Sequence, residues 1–311
     1  MNTKLYNGMR YVVVAILCIA SALCQTSVDP VAQARSLLDA GKLQEPETIL
    51  RNYLAKNPSA ADAHFLLGYV LFRDQKAKES LAEFTAGAKF RQPRADELKI
   101  VAADYVMLSD YSDADKWFSQ VVAETPDDAD AWYLLGRAKY NENIFAEAIS
   151  SFERALALHP KYVEAENNLG LSWRELNNYE KAQAAFQAAI TWQGDSPVDA
   201  QPFLNLGTVL ADQNDLEKAL PYLTKAANMS PDNPKVHDEL GKVYLAQNDL
   251  QKAQLELERA VALAPGSSGL HFKLGQIYRK ESLRDRAQQE FETCERLNST
   301  HSSTKTPNPL R

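Results

Sequence analysis

The sequence predicts an all-α fold: a solenoid of about eight stacked helical hairpins. Three observations predict it. A small residue recurs at Gly68, Ala102, Gly136, Gly170, Gly207, Gly241 and Gly275, at separations of 34, 34, 34, 37, 34 and 34 residues. Self-similarity at such a period marks a repeat array, in which each unit buries its apolar face against its neighbours. Prolines punctuate the chain at Pro58, Pro93, Pro126, Pro160, Pro231 and Pro265, where a ring without an N–H stops a helix. Between them, small and large apolar residues alternate in a fixed register.

One unit explains the rest. With Ala129 as position 1, Trp132, Leu135, Gly136 and Lys139 fall at positions 4, 7, 8 and 11, one stripe of a first helix at ~100° per residue. A second helix carries Ala148, Phe152 and Ala155 at positions 20, 24 and 27, and Pro160 at position 32 ends it. The small residues let two backbones approach, and the large ones fill the space beside them.

The register recurs along the chain. Position 20 holds Pro46, Ser80, Ala114, Ala148, Ala182, Ala219, Ala253 and Ala287; position 24 holds Leu50, Phe84, Phe118, Phe152, Phe186, Leu223, Leu257 and Phe291. The units are expected at about 27–60, 61–94, 95–128, 129–162, 163–199, 200–233, 234–267 and 268–297. In the first, Asp29-Pro30 reads as an N-cap followed by proline at the first helical position, and Pro46 falls where a first turn tolerates it. Tyr53 occupies its position 27, a looser interface. Three extra residues separate the fifth and sixth units, with Trp192 at a turn as either a packing residue or an exposed anchor. The last helix is polar on its outer face and is expected to serve as its own cap.

These residues resemble the tetratricopeptide repeat family, with W/L/F-x-x-L-G-x-x-Y followed by Ala, Phe, Ala and Pro at that family's spacing. The resemblance covers nearly all of residues 27–297 and implies a right-handed superhelix. For activity it implies only the binding of protein or peptide segments, because the shared motif residues are structural.

The ends differ from the array. Lys4 and Arg10 precede an apolar run from Tyr11 to Leu23 and then small residues, so residues 1–24 read as a signal peptide, with an uncleaved anchor as the alternative. The run is shorter than the ~20 residues of a comfortable membrane span. Cys24 invites a lipoprotein reading, but Leu23 stands where that motif wants a small residue. Residues 298–311 have no apolar periodicity and two prolines, and are expected to be a disordered tail.

The chain has 34 basic and 41 acidic residues. Loss of the leader leaves 32 against 41, a net charge of −9, which argues against nucleic acid or anionic lipid as the main partner. Cys294 is the one cysteine of the array, so no disulfide framework is expected there. His64, His237 and His271 all occupy position 4, a packing position, and no metal-ligand spacing accompanies them. No glycine-rich phosphate loop, nucleophile elbow or strand pattern is visible. Catalytic residues, metal and cofactor are therefore not assigned, and an enzyme is not expected.

Function must be sought on the surface that stacking creates. Positions 2, 5, 9 and 12 lie about 130° from the packing stripe and, in the resembling family, line the concave face. They supply Phe65, Tyr69, Phe72, Lys99, Tyr133, Arg137, Tyr140, Asn167 and Arg174. Aromatic and arginine side chains anchor interfaces, so a protein or peptide partner lying across the second to fifth units is expected; some of these rings are expected to serve the core instead. The pattern by which some family members grip a terminal carboxylate is not met, since Lys99 is followed by Ala103 at position 9. The expectation is a scaffold or adaptor in an exported compartment, periplasmic or secreted, or held at the envelope. The alternative is an assembly factor acting through self-association or an N-terminal membrane tether.

Overall fold

The structure, a computed structural model, describes residues 29–304 and side chains as far as 299. The segment read as a leader, 1–24, and residues 305–311 lie outside the described residues. Sixteen helices and no strands are present among the described residues. The chain divides into two compact units, Met1–Gln120 and Val121–Arg311. The first holds α1 (Pro30–Asp39), α2 (Gln44–Leu54), α3 (Ala61–Arg73), α4 (Ala77–Ala88), α5 (Ala95–Met107) and most of α6 (Tyr111–Glu124). The second holds α7 (Ala129–Asn141), α8 (Phe145–Leu158), α9 (Val163–Glu175), α10 (Tyr179–Trp192), α11 (Gln201–Asp212), α12 (Leu216–Met229), α13 (Pro234–Ala246), α14 (Leu250–Leu263), α15 (Ser268–Lys280) and α16 (Arg284–Thr304).

Each hairpin turns by one device. Position 15 is left-handed every time: Gly41, Gln75, Ser109, Asn143, Asn177, Asn214, Asn248 and Ser282 have φ of 58° to 79°. The next N–H reaches back to the carbonyl five residues earlier, as in Lys76 to Leu71 (2.9 Å), Ile144 to Lys139 (2.9 Å) and Leu283 to Tyr278 (2.8 Å). This is the Schellman closure of a helix C-terminus; glycine suits it because it has no Cβ, and asparagine because its short polar side chain can hydrogen-bond locally in that region. Several first turns are capped by side chains: Asp29 accepts from Val31 N at 3.2 Å, Asp128 from Ala131 N at 3.0 Å and Asn233 from Lys235 N at 3.0 Å.

The contact within each hairpin is a glycine against a ring or a leucine. A Cβ added at Gly136 would lie 2.6 Å from Phe152, at Gly170 2.6 Å from Phe186, at Gly207 2.6 Å from Leu223 and at Gly275 2.7 Å from Phe291. Phe118, Phe152, Phe186, Leu223 and Leu257, the residues that take this place, are buried. The small-large alternation is thus a direct contact between positions 8 and 24.

Position 4 carries a second periodic contact. His64, His237 and His271 each set Nε2 2.9–3.0 Å from the carbonyl of the preceding proline, Pro58, Pro231 or Pro265. Nδ1 of each meets a carboxylate 19 residues on, at Glu83, Glu256 or Glu290, within 2.5–2.7 Å. Trp132 makes the same carbonyl contact, its Nε1–H donating to Pro126 O at 2.9 Å. In the fifth hairpin this position holds Glu166, half-buried, and burial pushes its carboxyl up to about 7.

One departure from the sequence reading stands out. The segment 298–304, expected to be disordered, is the end of α16, which runs on to Thr304. No proline interrupts it before Pro307, and Ser299 Oγ donates to Arg296 O at 2.8 Å in its last turns. The three-residue insertion is closed by one side chain: Gln193 Oε1 accepts from Val198 N (3.1 Å) and Asp199 N (2.8 Å), and its Nε2 donates to Asp199 O (3.2 Å). Trp192, beside it, is half-buried.

The glycine contact predicts that Gly136→Leu lowers the unfolding free energy by about 1–3 kcal/mol through overpacking against Phe152. Gly136→Ala should cost less than leucine but still destabilise, since its Cβ would stand 2.6 Å from Phe152 and the ring must shift to admit it; urea melts of both variants check this. A second prediction follows from Glu166. Its value in the folded chain lies above the ordinary one, so folding disfavours the charged form, and stability is intact below about pH 4 and lost as pH rises towards 7. Glu166→Gln should leave stability unchanged near about pH 4 and raise it by on the order of 1–3 kcal/mol near about pH 8, measured as melts across that range.

Candidate functional site

In the first unit a concavity of about 550 Å³ opens among α1, α3 and α5, lined by Val31, Arg35, Asp62, Phe65, Leu66, Tyr69, Arg94, Asp96, Glu97 and Ile100. Its floor is held by Arg91. That guanidinium bonds Glu97 through both terminal nitrogens (2.6 and 3.1 Å), reaches Asp62 at 3.0 Å and lies 4.3 Å from the centre of the Phe65 ring. Glu97 is buried and also accepts from Arg94 Nη2 (3.0 Å) and from the Arg94 backbone N–H (2.8 Å). The hydrogen bond to Glu97 is the main cause that keeps Arg91 more firmly protonated than usual, against the opposing effect of burial. A buried carboxylate clamped by two arginines thus fixes α5 against the end of α4. Tyr69 forms the wall, half-buried, stacked on Phe72 with centroids 6.4 Å apart, while its hydroxyl accepts from Arg73 at 3.3 Å.

In the second unit the corresponding face begins at Tyr133, whose ring is 5.0 Å from Tyr162 and 6.0 Å from Phe152, with the Arg137 guanidinium 5.7 Å from its centre. Burial raises the titration of both phenols, and at Tyr162 a hydrogen bond to Asp130 adds to it. Arg137 is exposed. Tyr140 meets Phe145 edge-on at 5.5 Å, and Arg174 pairs with Glu175 at 2.8 Å. Farther along, Lys273 grips both oxygens of Asp238 (2.7 and 2.6 Å) and Lys242 takes Glu239 at 2.8 Å, so these charges are already matched within the chain.

Two expected groove residues are corrected by this geometry. Phe65 is 3% exposed, a core ring against Phe84 at 5.9 Å and under Arg91. Asn167 is 5% exposed, and its side-chain oxygen accepts from Asn205 Nδ2 at 2.8 Å. The physical reasons differ: the Phe65 ring turns onto the second helix of its own hairpin beneath Arg91, whereas Asn167 is met by Asn205 of the next first helix. Tyr69, Phe72, Lys99, Tyr133, Tyr140 and Arg174 are half-buried. Of the expected residues, Phe65 and Tyr69 line the cavity of the first unit. Val31, Arg35, Arg94 and Ile100 line it too and were not singled out. Val31 and Arg35 hold positions 5 and 9 of the first hairpin, so the register itself could have found them.

Arg91→Ala would uncover Phe65 and leave Glu97 buried with one arginine. A loss of about 3 kcal/mol in unfolding free energy is expected, as for breaking a buried pair, and denaturant titration of the full chain measures it.

Sequence profiles described as tetratricopeptide repeat match residues 31–95 and 102–163, 161–232, 210–271 and 268–301. Over 190 residues the chain is 26% identical to the BBSome complex member BBS4 homolog of Drosophila melanogaster, 60% of this chain and 38% of that one. Over 147 residues it is 28% identical to the mouse protein O-mannosyl-transferase TMTC1, 46% of this chain and 15% of that protein. The chain thus spans well under half the length of these relatives. Among solved structures, a tetratricopeptide repeat protein from Parabacteroides merdae superposes with a TM-score of 0.64 at 19% identity, covering 80% of this chain and 97% of the other. PilW, a type IV pilus biogenesis factor, gives 0.56 at 19%, covering 67% and 92%. At such identities the likeness concerns the fold alone, and that fold is consistent with a protein–protein interaction scaffold. With profile matches running from residue 31 to residue 301 and sixteen helices paired in the same register, the chain belongs to the tetratricopeptide repeat family.

Proposed function

We propose that this protein is an interaction scaffold that takes an extended segment of a partner protein on the inner face of its first helices, in an exported compartment. One observation carries the reading: the 550 Å³ concavity of the first unit combines an aromatic wall, Tyr69, with the exposed cations Arg35 and Arg94. A rigid ring supplies area at little entropic cost and a guanidinium supplies forked hydrogen bonds, the two chemistries that anchor interfaces. The concavity stands on a clamped floor, so it needs little ordering on binding, and preorganisation favours affinity. Arg137 over Tyr133 offers the same pairing in the second unit. The exported placement rests on the basic start, apolar run and small residues of 1–24.

Selection of displayed peptides on the full chain, followed by calorimetry, tests the reading. Enriched peptides are expected to lose roughly tenfold or more in affinity on Arg35→Ala with Tyr69→Ala, about 1.4 kcal/mol, with melting unchanged. Equal affinity for the variant, or no enrichment, overturns it. The intact mass of the chain recovered from its host shows directly whether residues 1–24 have been removed.

A further inference from the structure

Asp104 is a carboxyl without a cation. It lies in the last turn of α5, fully buried where that helix packs on α4. Its Oδ2 is 2.5 Å from Ser80 Oγ on α4, and the same Oγ lies 2.9 Å from the carbonyl oxygen of Gly68 on α3. Its Oδ1, equally buried, has no hydrogen-bond partner.

Counting protons decides what this arrangement holds. A serine hydroxyl has one proton to donate, yet Ser80 faces two acceptors. With the carboxyl protonated, Asp104 Oδ2–H donates to Ser80 Oγ, Ser80 donates to Gly68 O, and every contact has its proton. With the carboxyl ionised, either the Gly68 contact is given up or two acceptors meet at 2.5 Å, and a negative charge sits on the orphan Oδ1 in an apolar surround. Such a charge is expensive to bury. No charged group contributes to its titration from any helix packed against it; burial is the main influence, opposed only by the Ser80 hydrogen bond. The balance of those two pushes the carboxyl up to about 7.

We propose that Asp104 and Ser80 form a proton-operated clasp between the second and third hairpins: protonated, it seats α5 on α4; deprotonated, it releases that contact and shifts Asp96, Glu97 and Ile100 in the wall of the cavity. The device is independent of what the cavity binds. It makes the shape of the first unit's inner face a function of pH near neutrality, independently of Glu166, which titrates in the second unit.

The carbon-13 carboxyl shift of Asp104, followed by NMR in the unaltered full chain, tests the first half; a midpoint close to 7 is expected. A midpoint near the ordinary aspartate value of about 4 overturns the proposal. Hydrogen exchange tests the second half. Corrected for intrinsic rates, and with Glu166→Gln in both chains compared so that the second unit's own titration is removed, protection of amides in α4 and α5 should fall by roughly tenfold between about pH 6 and about pH 8, and Asp104→Asn should abolish the fall. The same fall in that variant, or none in the parent chain, also overturns the proposal. Should Asp104→Asn fail to fold, the carboxyl titration of the parent chain and its own exchange profile still decide the matter.

Discussion

Everything in this fold depends on two helices meeting where one of them has no side chain. At Gly68, Gly136, Gly170, Gly207, Gly241 and Gly275 a ring or a leucine lies where a Cβ would stand, within 2.6–2.8 Å. That contact fixes the separation and rotation of the two helices of a hairpin. Those in turn decide which residues of the first helix face the next hairpin and which face open space. The inner face is therefore a by-product of packing, and its chemistry is free to vary only at positions the next hairpin does not cover.

The sequence made the fold legible because the packing code is periodic and local. Seven small residues at a near-constant interval, the prolines and the large residues at position 24 are all visible as letters, and six of the small residues, the glycines, meet the position-24 side chain of their own hairpin. The functional face was legible only in part. Register identified the stripe, but not which of its members neighbouring groups cover: Phe84 and Arg91 enclose Phe65, and Asn205 of the next first helix meets Asn167. Register also applied to Val31 and Arg35 in the first hairpin, which the reading passed over. Arg91 lay outside the stripe altogether, at the end of a second helix, yet its guanidinium shapes the floor of the cavity.

Tertiary pairings across hairpins were hidden for a different reason. Nothing in a single sequence says that Ser80 and Asp104, 24 residues apart, are hydrogen-bonded, or that three histidines each join a proline carbonyl to a glutamate. These contacts are periodic as well, since the histidines stand at one position and the glutamates 19 residues on. They look like scattered charged residues until the stacking distance is known. Polar groups inside a solenoid are thus where repeats acquire individuality, because the apolar register leaves them no other difference.

The loop closed by Gln193 shows how such a chain tolerates irregularity. Three added residues would be expected to disturb the phase of everything downstream, yet the glycine–leucine contact reappears intact at Gly207 and Leu223. Gln193 ties the far side of the loop back to its start through three hydrogen bonds, and Val198 at its crest is 94% exposed. The loop behaves as an expansion joint: slack is taken up outside the stack, and the helices on either side keep time. A fluorophore or an inserted epitope placed at that crest would report from the molecule without entering its packing.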